Sequence, residues 1–152
     1  MPGASVPGVI MEIERAKRYR DKLNLILERT ADIEDWTSIE ISDFISDKKT
    51  RLAVYKAFQE LVEASFDIVA MACRDSRIIS KDDYANVEAL YQKNILDERL
   101  KNALIESNGL RNRLVHRYNT LDDRTAFESI LELLPDFKYF TEVMDKWLEK
   151  ML

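Results

Sequence analysis

Apolar side chains recur along most of this chain at steps of three and four residues, the spacing that gathers them on one face of an α-helix. Ile13, Ala16, Leu23, Ile26, Leu27, Thr30 and Ile33 form the first stripe, with charges opposite, and predict an amphipathic helix over residues 9–34. The stretch DWTSIEISDFISD reads as a linker with one helical turn and cap-like Ser42 and Asp47. A second long helix is expected from Asp47, an N-cap type, carrying Leu52, Val54, Phe58, Leu61, Val62, Phe66, Val69, Ala70 and Cys73 inward. Ser80-x-x-Asp83 resembles a third helix start, with Ser80 as the cap and Asp83 at the positive dipole end; Tyr84, Val87, Leu90 and Tyr91 form its stripe. Asp97 is expected to cap a fourth helix, with Leu100, Ala103, Leu104 and Ser107 inward. Asn108-Gly109 should break or bend that helix, leaving RNRLVH for two further turns. Thr120-Leu121-Asp122-Asp123 is a cap signature before the last helix, which carries Phe127, Ile130, Leu131, Leu134, Phe137, Phe140, Met144, Trp147 and Leu148. Pro135 inside it is expected to kink or split it.

The pattern is all-α, an antiparallel up-and-down bundle of about five helices. Composition agrees: the chain has 3 Gly and 3 Pro, and Pro2, Gly3, Pro7 and Gly8 crowd one end, so turn residues are scarce elsewhere. Residues 1–8 are expected as a flexible tail and 9–152 as one domain, long enough for a real core. The lone Cys73 excludes an intrachain disulfide framework. No apolar run reaches the roughly 18 residues of a membrane span, and no signal-peptide pattern stands at the start. A cytoplasmic location without membrane contact is expected.

The formal net charge is −5, so general attraction to nucleic acid is excluded and any such substrate needs a local basic site. RNRLVHRY, residues 111–118, is a place that offers one beside a titratable group. It holds the only histidine, His116, with Arg111, Arg113 and Arg117 within five residues. One reading is structural: Leu114 and Val115 pack inward, the arginines are solvated, and His116 sits at a helix C-terminus that favours cations. The other is chemical. Histidine moves protons near neutrality, its reference pKa being about 6.5, and arginine grips phosphate with a planar fork. Metal-free RNA cleavage needs both services: a base for the 2′-OH, a cation for the phosphoryl charge and an acid for the leaving oxygen. A single histidine does not easily serve as base and acid at the same moment, and a two-fold dimer could supply two, so this chemistry predicts a composite site at a dimer interface.

On an ideal helix Arg111 and His116 point roughly 140° apart, whereas Asn112 and His116 are i,i+4 neighbours. Asn112 is thus placed to orient the imidazole or to lie exposed. Gln59, Glu63 and Asp67 form one polar line on the second long helix. It is either a solvated face or a pairing line in which Asp67 or Glu63 holds Arg111 or Arg113. One His and one Cys cannot build the usual zinc site within a chain, and neither a Gly-rich phosphate loop nor a serine-nucleophile signature is present.

Arg111-x4-His116-x-Tyr118 resembles the R-x4-H-x-Y motif of the HepT family, in the HEPN superfamily of helical-bundle proteins. GLRNRLVHRY is close to that family's wording, LAVYKAFQELVEASFDIVAMA has the look of its second helix, and the resemblance spans residues 9–148. It implies a ribonuclease toxin of a prokaryotic toxin–antitoxin pair, whose partner is a small nucleotidyltransferase, MntA. It implies Arg111 and His116 as catalytic residues in a homodimer acting on RNA with no metal or cofactor. It implies Tyr118 as the acceptor of AMP, a bulky anion that silences the site. Arg113 and Arg117 are expected as phosphate contacts. Two rivals remain: a HEPN module that binds nucleotide or partner without cutting RNA, and a structural helical dimer with RNRLVHRY at its interface.

Overall fold

Polar pairs that cross between helices show the direction of each element in the bundle. The structure, a computed structural model, describes residues 2–116 and 121–152, with side chains from Ile13 onward. Among these residues there are six helices and no strand: α1 (Pro2–Trp36), α2 (Ile41–Ser46), α3 (Lys48–Asp75), α4 (Asp83–Gln92), α5 (Glu98–His116) and α6 (Asp123–Met151). Lys22–Asp67 at 2.9 Å and Arg29–Glu60 at 2.6 Å run α1 antiparallel to α3. Lys138–Glu34 and Arg20–Asp145 run α6 antiparallel to α1. Arg99–Asp136 at 2.7 Å and the Tyr139–Asp97 hydrogen bond run α5 antiparallel to α6. The result is an up-and-down bundle of α1, α3, α5 and α6. The short α4 lies against α3 and α5, where Lys101 meets Glu88 at 2.6 Å. The short α2 seats Phe44 against Phe127, ring centroids 4.6 Å apart.

The core follows the apolar stripes with shifts that have local causes. On α1, Ala16, Leu23, Ile26, Thr30 and Ile33 are buried and are joined by Tyr19. Ile13 and Leu27 face outward instead. Asp75, the last residue of α3, already pairs with Arg15 and Tyr19, so Ile13 lies beyond the end of its neighbour. The helix begins at Pro2, ahead of residue 9, and residues 2–8, expected as a tail, are helical. On α3, Leu52 is exposed while the rest of its expected stripe is buried or half-buried. On α6 every expected inward residue is buried or packed against the core.

The caps show which polar residues start the helices. Asp47 accepts from Thr50 N at 3.2 Å and Asp97 from Leu100 N at 2.9 Å, as their positions predict. Ser80 does not cap α4: Asp82 does, accepting from Ala85 N at 2.8 Å, and Ser80 Oγ accepts from Asn86 Nδ2. Asp122 caps α6. Asn108-Gly109 does not break α5, because Ser107, Asn108 and Leu110 are all buried and hold that turn in place. A methyl built on Gly109 would meet nothing within 4 Å, so this glycine answers no steric need inside the chain. Pro135 does not split α6; the loss of one backbone donor is borne by Ile130, Leu133, Leu134 and Phe137, all buried around it. No helix among the described residues is long and apolar enough to cross a membrane.

Two outcomes test this packing. Phe58 is fully buried, edge-on to Phe137 with centroids 6.2 Å apart. Phe58→Ala should cost about 3–5 kcal/mol in urea unfolding; a cost below about 1 kcal/mol would place Phe58 outside the core. Bonds from the Thr50 hydroxyl and backbone N–H hold the Asp47 carboxyl below the usual carboxylate range. The stabilisation is therefore present above the unfolded pKa near 3.9 and lost as pH falls through the folded value. Asp47→Ala should melt at a lower temperature than the parent at neutral pH, and the gap should close in acid. A gap that widens in acid would contradict the cap.

Candidate functional site

The last turns of α5 carry the residues with chemical potential, and the bundle determines which of them are held. Leu110 and Leu114 are buried and pin this end of α5 to the core. Arg111 lies between them and turns toward α3. Its Nη1 donates to Glu63 Oε1 at 3.1 Å, and Gln59 Nε2, one turn earlier on α3, donates to the same oxygen at 3.1 Å. The Arg111 side chain is 24% exposed and that of Glu63 is 46% exposed. Arg111 Nε is buried with no hydrogen-bond partner among the described residues. The pairing line therefore operates through Glu63 and Arg111, one of the alternatives open from spacing.

Asp67 does not share in it. Its carboxylate meets Lys22 of α1 at 2.9 Å, and its side chain is largely exposed. The polar line of Gln59, Glu63 and Asp67 thus divides: the first two face α5 through Arg111, and the third ties α3 to α1.

His116 is exposed and is the final residue of α5. It lies five residues past Arg111, which is about 7.5 Å along the axis. Arg113 is exposed, and Asn112 is half-buried on the turn before His116. Val115, expected inward beside Leu114, is exposed: this end of α5 buries Leu110 and Leu114, and Val115 points away from their side of the helix. Arg117 and Tyr118 lie outside the described residues.

The entry into α6 is fastened to α3, the helix that holds Arg111. Asp123 accepts from the Tyr55 hydroxyl, and Arg51 stands 3.5 Å from its carboxylate. Tyr55 and Glu63 are eight residues apart on α3, so the ties to α6 and α5 are about 12 Å apart along it. The Gln59–Glu63 contact was legible as an i,i+4 spacing, whereas the Tyr55–Asp123 bond spans 68 residues and has no local signature. Among the described residues no group of three or more His, Cys, Asp or Glu side chains is placed to hold a metal ion. Cys73 is buried against Asn86 O, and burial pushes its thiol pKa up, the opposite of a reactive thiolate.

Chemically, this end of α5 offers a fixed guanidinium and an exposed imidazole on one rigid helix. That pairing suits a phosphodiester, with charge stabilisation from one group and proton transfer from the other.

Comparison with known proteins gives the family. The ribonuclease HepT-like family profile matches residues 26–144. A protein of Archaeoglobus fulgidus named as a candidate RNase is 34% identical over 139 residues, 90% of this chain and 98% of that one. The tRNA nuclease HepT of Aphanizomenon flos-aquae is 28% identical over 130 residues, 84% of this chain and 87% of that one. The solved structure of a tri-AMPylated Shewanella oneidensis HEPN toxin, in complex with MNT antitoxin, is similar at a TM-score of 0.80 and 25% identity, over 85% of this chain and 97% of that one. The all-α bundle is the fold of the HEPN toxins, and by the extent of the family match this chain belongs to the ribonuclease HepT-like family.

Proposed function

We propose that the protein is a metal-independent endoribonuclease, the toxin of a toxin–antitoxin pair, acting as a homodimer and silenced by adenylylation of Tyr118. The observation that carries this reading is the pairing, on one helix, of an anchored Arg111 with an exposed His116. His116 of one subunit takes the 2′-OH proton. The 2′-oxygen attacks phosphorus, the P–O5′ bond breaks, and His116 of the second subunit gives a proton to the leaving 5′-oxygen. Arg111 stabilises the charge that builds on the non-bridging oxygens. One histidine per chain is the reason that two chains are needed. Arg113 and Arg117 hold flanking phosphates, and Asn112 steadies the imidazole from one turn away.

Silencing follows from the same electrostatics. A small nucleotidyltransferase antitoxin joins AMP to the Tyr118 oxygen, releasing pyrophosphate from ATP. The adduct places a phosphate two residues from His116, where it competes for the arginines and blocks RNA.

Two experiments test the reading. Purified protein should cut a tRNA pool in EDTA and leave 2′,3′-cyclic phosphate ends. His116→Ala should lose about 10²–10⁴-fold in rate and Arg111→Ala about 10²–10³-fold. RNA left equally intact by the parent and both variants, or a strict need for Mg²⁺, would refute the mechanism. Incubation with the cognate nucleotidyltransferase and ATP should add AMP to the intact mass and abolish cleavage. Tyr118→Phe should gain no mass; an undiminished adduct on that variant would move the modified site elsewhere.

A further inference from the structure

The Arg111 guanidinium is held in a pose that solvation alone would not choose. Its Nε–H is buried without an acceptor among the described residues. An unpaired buried donor is costly, and a guanidinium free to rotate would hydrate it. What opposes that rotation is the bond from Nη1 to Glu63 Oε1 at 3.1 Å. Glu63 is in turn held, since Gln59 Nε2 donates to the same oxygen at 3.1 Å from the preceding turn of α3. With Nη1 engaged and Nε buried, Nη2 is the guanidinium nitrogen left to meet a phosphate.

This pair does little for the fold. Glu63 is nearly half exposed, and ion pairs at such positions contribute little to stability. Loss of Glu63 therefore falls on the orientation of Arg111. Orientation matters at a site where charge develops on fixed oxygens, because a small displacement of one donor is expensive in rate.

We infer that Glu63, steadied by Gln59, is the positioning residue for Arg111: it sets the plane of the guanidinium before RNA arrives. The inference rests on the proposed cleavage reaction, and it makes a separate statement about Arg111 that holds without RNA.

The test has two arms on the full-length protein. In the kinetic arm, Glu63→Ala should lower kcat by about 10- to 100-fold, with KM changed by less than about threefold. Glu63→Gln, whose amide oxygen still accepts from Nη1, should recover kcat to within about fivefold of the parent. The melting temperature of Glu63→Ala should stay within about 3 °C of the parent, because the pair is surface-exposed. Unchanged kcat in Glu63→Ala would overturn the inference, and so would a faster enzyme, which would make Glu63 a restraint on phosphate binding. In the second arm, the Arg111 Nε–H resonance, assigned by its absence in Arg111→Lys, should exchange slowly in the parent and in Glu63→Gln and quickly in Glu63→Ala. Equal exchange in all three would overturn positioning. If the parent cuts no RNA, the proposed function fails while this arm still decides the role of Glu63.

Discussion

A helix that is apolar on most of its circumference must be covered on most sides, and α3 imposes that condition on this chain. Val54, Phe58, Leu61, Val62, Ile68, Val69, Ala72 and Cys73 are each completely buried, and they point to more than one side of the helix. Burying such a helix is the strongest favourable term available. It requires α1 on one side, α5 and α4 on another, and α2 across its start. The described part of the candidate site is placed as a consequence. Once α5 lies along α3, Arg111 falls beside Glu63, and once α6 returns along α5, its first turn falls beside Tyr55. The ends of α5 and α6 are thus fastened to one rigid helix on either side of residues 117–120.

The chemistry is local in an otherwise acidic protein. A net charge of −5 repels RNA at long range, so under the proposed reaction capture of RNA falls to local cations such as those at the end of α5. Of these, Arg111 is partly neutralised by Glu63 and is held still, while Arg113 is exposed. That division suits separate tasks. A fixed cation stabilises developing charge with little reorganisation, and a mobile one captures phosphate and lets it go. The exposed His116 lies between the two roles, one turn beyond Asn112 on the same helix.

What was legible in the sequence was what depends on neighbours three or four residues away. Asp47 and Asp97 read as caps because a cap acts on the next turn of its own helix. The buried stripes of α5 and α6 read from spacing for the same reason. Ser80 was mistaken for a cap because Asp82, two residues on, is an equally good N-cap type and lies closer to the helix start. Pro135 and Asn108-Gly109 suggested breaks because local propensity disfavours helix at both; buried neighbours on either side overrode it. Long-range pairing was not legible. The spacing of Glu63 and Asp67 does not reveal that one meets Arg111 and the other Lys22, since that choice belongs to the packing of three helices. The roles proposed for Arg111, His116 and Tyr118 rest on the family's motif, and Tyr118 lies outside the described residues.

The central claim is that each cleavage event draws a proton carrier from both subunits. It is tested most directly by mixing unfolded and refolded parent with His116→Ala in equal amounts, at constant total protein and in EDTA. If both histidines of a dimer are required, mixed dimers are inactive, and activity falls to about a quarter of the parent alone, the fraction of parent–parent dimers under random pairing. Activity at about half, in proportion to the parent subunits present, would show that each subunit cuts RNA with its own histidine and would contradict the account.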